Sequence, residues 1–152
     1  MRRGFTLIET AVVLLVLALT AALVAPAVGR GVDTIRLRAE VAGVASFLRA
    51  ARERAIAQHR ALEVGIDGEG RTLVMKDREV GTVGGADGVS AVRRMPPFVH
   101  IVADPPAART VTFFAYGLST GGRFRIEAPG PVVYLVTVSA LTGRVSTRRG
   151  ES

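Results

Sequence analysis

Residues 1–10, Met1-Arg2-Arg3-Gly4-Phe5-Thr6-Leu7-Ile8-Glu9-Thr10, run directly into AVVLLVLALTAALVAPAVG at 11–29. Between Glu9 and Arg30 nothing is charged. That length matches the roughly 20 residues with which a helix spans a hydrocarbon core. Arg2 and Arg3 stand before it, so the positive-inside rule puts the N-terminus in the cytoplasm and everything after Arg30 outside. A helix that is apolar all round must be covered by lipid or by other helices. The rest of the chain must therefore build its own core.

Glu9 is the exception within this apolar stretch. An acidic side chain at mid-membrane costs about 2.5–3.5 kcal/mol on insertion scales, so it normally has a partner. No cation of the same helix reaches it. Two readings stand: a glutamate solvated in the headgroup region, or one paired with a cation from another chain, for which a free α-amino group would serve. A rival for the whole segment is a secretory signal peptide. Ala25-Pro26-Ala27 fits its A-x-A cleavage pattern, and cleavage there would leave a soluble protein beginning at Val28. Glu9 inside the run, and the helical pattern that continues past Ala27, oppose it.

Beyond Arg30 the pattern becomes amphipathic. Leu37, Val41, Val44, Leu48, Ala51 and Ala55 recur at spacings of four and three, one stripe of a helix. Arg36, Arg38, Arg49, Glu53 and Arg60 lie off it. Gly29, Gly31 and Gly43 weaken the helix locally. Phe5 to about Gln58 therefore reads as one helix with a loosened middle. From Ala61 the signals are β. Ala61–Ile66 and Arg71–Lys76 flank the turn Asp67-Gly68-Glu69-Gly70. Gly81–Ser90 reads as a glycine-rich loop or weak edge. Strands are predicted at Phe98–Val102, Val111–Phe114, Phe124–Ala128, Val132–Ala140 and Arg144–Thr147, with a turn at Gly117–Gly122 and a frayed tail over 148–152. The expected fold is α+β: a long N-terminal helix, half membrane and half amphipathic, packed on an antiparallel β-sheet head. Its segments are a leader at 1–4, a transmembrane or filament-core helix at 5–29, an amphipathic half at 30–60 and the head at 61–152.

Composition removes several classes of function. The 152 residues are 49% hydrophobic, too many for disorder. There is no cysteine, hence no disulfide framework, thiolate metal site or cysteine nucleophile. His59 and His100 are far apart, and Asp67, Glu69 and Asp77 miss a calcium-loop spacing. No metal or cofactor is expected. Gly117-Leu118-Ser119-Thr120-Gly121 has the letters of a nucleophile elbow, but strand-like sequence follows it and both histidines precede it. It reads as a turn, and no enzyme is expected. The net charge is +7, and Lys76 is the only lysine. Arginine abundance of this kind follows genome composition as readily as nucleic-acid binding. Arg123 and Arg125 would share one strand face that could meet phosphates. Arg144, Arg148 and Arg149 form a second basic group. These five are the candidate DNA-contacting residues.

Gly4-Phe5-Thr6-Leu7-Ile8-Glu9 resembles the class III signal of type IV pilins and type II secretion pseudopilins. The resemblance implies cleavage between Gly4 and Phe5 by a prepilin peptidase, N-methylation of Phe5, and an assembly role for Glu9. That role is pairing with the N-terminal amine of a neighbouring subunit. It also implies a kink or soft point at Pro26. In the head, Leu48–Ile56, Phe113–Gly121 and Val136–Ser139 with Thr142–Val145 are similar to the GspH/FimT group. Membership implies a minor pseudopilin of type II secretion at or near the filament tip, or alternatively a FimT/FimU-like minor pilin acting in pilus assembly or DNA uptake. The implied partners are other pilins or pseudopilins, the prepilin peptidase and the inner membrane, with nucleic acid a less favoured one. The implied location is a single pass through the inner membrane with the head in the periplasm, then a periplasmic pseudopilus or surface pilus. Gly143-Arg144-Val145-Ser146 departs at Ser146 from the Gly-Arg-x-Arg of DNA-binding relatives, while Gly122-Arg123-Phe124-Arg125 carries those letters elsewhere.

Overall fold

A computed structural model describes residues 6–78, 88–130 and 132–151, with backbone alone over 23–33 and at 151. The chain divides into two compact units, Met1–Arg38 and Ala39–Ser152. One helix, α1 (Leu7–Gln58), runs from the first into the second. Its helical backbone carries through Pro26, whose ring nitrogen has no N–H to give to the ladder.

Both ends of α1 have a local cause. Thr6 is its N-cap: the Glu9 N–H donates to Thr6 Oγ1 at 3.4 Å and to Thr6 O at 3.1 Å. At the other end His59 adopts φ +54°, the left-handed position usually given to glycine. The Arg60 N–H then closes on Ala55 O at 3.1 Å and the His59 N–H on Ile56 O at 3.3 Å, satisfying carbonyls that the last turn leaves open.

The head is two four-stranded antiparallel sheets and the second half of α1. One sheet has the order β3-β2-β1-β5, from β1 (Leu62–Ile66), β2 (Thr72–Asp77), β3 (Val89–Arg94) and β5 (Thr110–Phe113). The other has the order β4-β6-β7-β8, from β4 (His100–Asp104), β6 (Gly122–Glu127), β7 (Val132–Val138) and β8 (Val145–Glu151). From Val41 onward the helical stripe is buried: Val41, Val44, Ala45, Leu48, Ala51 and Ala55. Buried with it are Leu62, Val64, Leu73, Met75, Val111 and Phe113 from the first sheet, and Phe124, Ile126, Val136 and Val138 from the second. The alternation of buried and open positions along β1 and β2 is what a sheet with one covered face requires.

The β1–β2 turn also ties the sheets together. Asp67 Oδ1 accepts the N–H groups of Arg71 at 2.9 Å and Thr72 at 3.1 Å, and Gly70 O accepts the N–H of Ile101 in β4 at 2.7 Å. Burial pushes the Asp67 carboxyl up. Hydrogen bonds from the Thr72 side chain and from the N–H groups of Arg71, Thr72 and Gly70 outweigh burial and hold it below its ordinary value.

Three elements differ from the sequence reading. Arg148–Glu151 are not frayed: they extend β8 and pair with Val132–Leu135 of β7. Val89–Arg94 form β3 on the edge of the first sheet, where the reading of a loop or weak edge stopped at Ser90. The strand expected at Phe98–Val102 begins at His100, because Pro96–Val99 turn on a 3.0 Å bond from the Val99 N–H to Pro96 O. Residues 81–87 of the glycine-rich loop lie outside the described residues.

Candidate functional site

The first candidate site is the N-terminal part of α1. Gly4 and Phe5, the expected cleavage and methylation positions, lie outside the described residues. Glu9 stands in the first helical turn with its side chain exposed. Thr6-Leu7-Ile8-Glu9 has the T-x-x-E form of a helix start, a local signal that gives an acid here a second reason to exist. Around it Leu7, Ile8, Val12, Val13, Leu14, Leu15, Val16, Leu17 and Leu19 are all exposed, Leu7 to 87%. The hydroxyls of this stretch turn inward: Thr10 Oγ1 donates to Leu7 O and Thr20 Oγ1 to Leu17 O, both at 2.9 Å. A threonine satisfied by its own helix asks nothing of a water-free surrounding. Among the described residues, no helix is long and apolar enough to cross a membrane.

The second candidate is the set of arginines, which the fold separates. Cross-strand register puts Val102, Arg125, Leu135 and Arg148 in one row, and Asp104, Arg123, Thr137 and Ser146 in the next. Arg123, Arg125 and Arg148 therefore share the outer face of the second sheet. Arg149 is opposite Tyr134 and points to the other face. The Arg123 guanidinium is paired with Asp104 at 3.5 Å, and that of Arg125 with Glu127 at 2.9 Å. The outer face is therefore a mixed charge lattice.

Arg144 lies in the turn between β7 and β8, beside two arginines of α1. Arg52 Nε donates to Gly117 O at 3.2 Å and to Thr142 O at 3.1 Å, and Arg49 donates to Val145 O at 3.4 Å. Gly143 has φ +60°, and a Cβ there would fall 2.4 Å from Gly117 O and 2.8 Å from Arg52 Nε. Its lack of a side chain lets the two turns close on one guanidinium. Arg49 was visible in the sequence only as an off-stripe residue, and nothing in the spacing tied either helix arginine to turns 65 to 96 positions away.

The Gly117–Gly121 turn is structural in its contacts. Ser119 Oγ donates to Ser139 O at 2.9 Å and accepts the N–H of Gly121 at 3.0 Å, and β6 follows it. His100 is exposed at the start of β4. Among the described residues, no group of three or more His, Asp or Glu side chains is placed to hold a metal ion.

A long N-terminal helix whose second half packs on antiparallel sheets, preceded by an exposed apolar half, defines a type IV pilin-like protein. The family described as "Type II transport protein GspH" matches residues 40–142, and the chain belongs to that family. Two crystal forms of the type IV minor pilin FimU of Pseudomonas aeruginosa PAO1 share the fold. The first, at 18% identity and a TM-score of 0.63, covers 76% of this chain and 90% of that one. The second, at 18% and 0.60, covers 73% and 91%. The minor pseudopilin EpsH of the Vibrio cholerae type 2 secretion system shares it at 14% identity and a TM-score of 0.55, covering 76% of this chain and 97% of that one. Comparison with curated proteins gives no sequence match. The chain is thus a pilin or pseudopilin of the secretion and pilus class, a class of structural proteins.

Proposed function

We propose that this protein is a minor pseudopilin of a type II secretion system, acting at or near the pseudopilus tip to support protein export. In this reading a prepilin peptidase cuts between Gly4 and Phe5, and Phe5 is N-methylated. The apolar half of α1 holds the chain in the inner membrane, with the head in the periplasm, until assembly. Pro26 supplies a soft point where the helix adapts to its neighbours. Glu9 sets register by pairing with the Phe5 amine of an adjacent subunit. The observation that carries the reading is the exposed apolar surface from Leu7 to Leu19, interrupted by one carboxylate. Such a surface has to be covered, and the acid within it needs a positive partner. The family's description as a type II transport protein favours secretion. The second reading is a minor pilin in pilus assembly or DNA uptake, supported by the FimU-like fold and by Arg144 and Arg148. Ion pairing of Arg123 and Arg125 weighs against its nucleic-acid branch.

The test is Glu9→Gln in the native host. Glutamine keeps the helix-start pattern and removes the charge. Membrane insertion is expected to persist while recovery in sheared filaments falls about tenfold or more, the scale of a lost charge-assisted contact. Normal incorporation would reduce Glu9 to a helix-start residue. A native N-terminus at Met1 or Val28 would overturn the processing step. Deleting the gene should abolish export of type II cargo; loss of pili or DNA uptake with export intact would favour the second reading.

A further inference from the structure

Several head arginines have acidic partners: Arg60 with Asp77, Arg93 with Glu40, Arg123 with Asp104 and Arg125 with Glu127. The cleft between α1 and the β7–β8 turn breaks this habit. Arg49, Arg52 and Arg144 line it with Glu53, Thr142 and Gly143 around about 420 Å³. Arg49 and Arg52 are three residues apart on the helix and so lie side by side. Their bonds go to the carbonyls of Val145, Gly117 and Thr142. The Arg144 N–H donates to Thr142 Oγ1 at 3.3 Å, which fixes the turn. A carbonyl orients a guanidinium without cancelling its charge. Among the described residues, none of the three arginines has a carboxylate within ion-pair distance.

We infer that this cleft receives acidic side chains from an extended segment of another protein chain. A guanidinium fork matches a carboxylate in two parallel hydrogen bonds. The Arg52 side chain is already held at two carbonyls, so it has little freedom to lose on binding. The volume suits one or two acidic side chains. A nucleic-acid strand follows a continuous track of positive charge. Here Glu53 lies in the cleft itself, and Asp104 and Glu127 interrupt the arginines of β6. The inference uses the head alone and does not depend on which filament the protein serves.

The experiment is fluorescence anisotropy on the full chain in detergent, at low salt. The probes are a labelled peptide of alternating Glu and Gly, its Gln counterpart, and a short DNA duplex. The Glu peptide should bind at least about tenfold more tightly than the Gln peptide. Arg49→Gln with Arg144→Gln should remove about tenfold or more, while Arg123→Gln with Arg125→Gln should change affinity less than about twofold. Arg52 is kept because it ties the turns, and an unchanged melting curve confirms that the double variant is folded. No peptide binding, equal binding of the Gln peptide, or indifference to the Arg49/Arg144 substitutions would overturn the inference. Tighter binding of the duplex, lost in the same variant, would overturn it in favour of nucleic acid. None of these results bears on the mature N-terminus or on export, so the two readings fail separately.

Discussion

Two of the arginine contacts that join the helix to the rest of the head have opposite outcomes. At the first, Arg93 reaches from β3 across Gly43 and pairs with Glu40 at 2.9 Å; a Cβ on Gly43 would lie 2.1 Å from its guanidinium. The charge is cancelled, the side chains are only 32% and 23% exposed, and Arg93 Nε is buried without a partner. At the second, Arg52 and Arg49 reach from the helix to the turns and find carbonyls, so their charge survives. The first contact is a closed clasp that fastens an edge strand. The second fastens two turns and leaves positive charge facing a cleft. The difference lies in what the guanidinium meets: a carboxylate ends its electrostatic reach, whereas a peptide carbonyl only aims it.

Gly143→Ala should separate the two regions most strongly. It places a methyl 2.4 Å from a backbone carbonyl at φ +60°, and should cost about 2–3 kcal/mol in a denaturant melt of the full chain in detergent. A smaller loss would mean that the turns do not depend on closing around Arg52. Arg93→Ala comes next, at about 1–2 kcal/mol, since it strands a partly buried Glu40 that solvent still reaches. Added salt should narrow the gap between wild type and this variant; a constant gap would show that packing over Gly43, not charge, holds β3.

The β1–β2 turn provides a yardstick, being clamped by a carboxylate instead of an arginine. Asp67→Ala should cost about 1 kcal/mol at neutral pH. Because hydrogen bonding holds the folded carboxyl below its ordinary value, that contribution is present above the unfolded value and disappears as pH falls through the lower folded one. Wild type and variant should therefore converge in acid. Arg49→Gln is the smallest change, within about 0.5 kcal/mol, because the side chain is exposed and its one bond is long. A larger loss would make Arg49 a structural clamp like Arg52.

The long helix and the paired face of the sheet were readable because both depend on periodicity. Val41, Val44, Leu48, Ala51 and Ala55 repeat at helical spacing, and Leu62, Val64 and Ile66 alternate. What escaped was set by partners. Arg148–Glu151 carry no apolar alternation, and they are strand because β7 offers a ladder. Val89–Arg94, on an edge with only modest burial, owe their conformation to β2 in the same way. The helix end at Gln58 was legible from the change of period, although no glycine marks the stop at His59. At the candidate site, Glu9 and the arginines were visible as residue types. That Arg123 and Arg125 are neutralised while Arg49, Arg52 and Arg144 converge follows from register and turn closure across 65 to 96 residues.

The strand order β3-β2-β1-β5 has a consequence for how the protein is made. Strand β1 finds one neighbour within a few residues, but the other, Thr110–Phe113, is synthesised only after β2, β3 and β4, the last of which belongs to the other sheet. Translation delivers the N-terminal strands first. A nascent chain halted before Thr110 would expose the flank of Leu62–Gly65 to any extended polypeptide nearby, and a holdase chaperone would have its most urgent task during that interval.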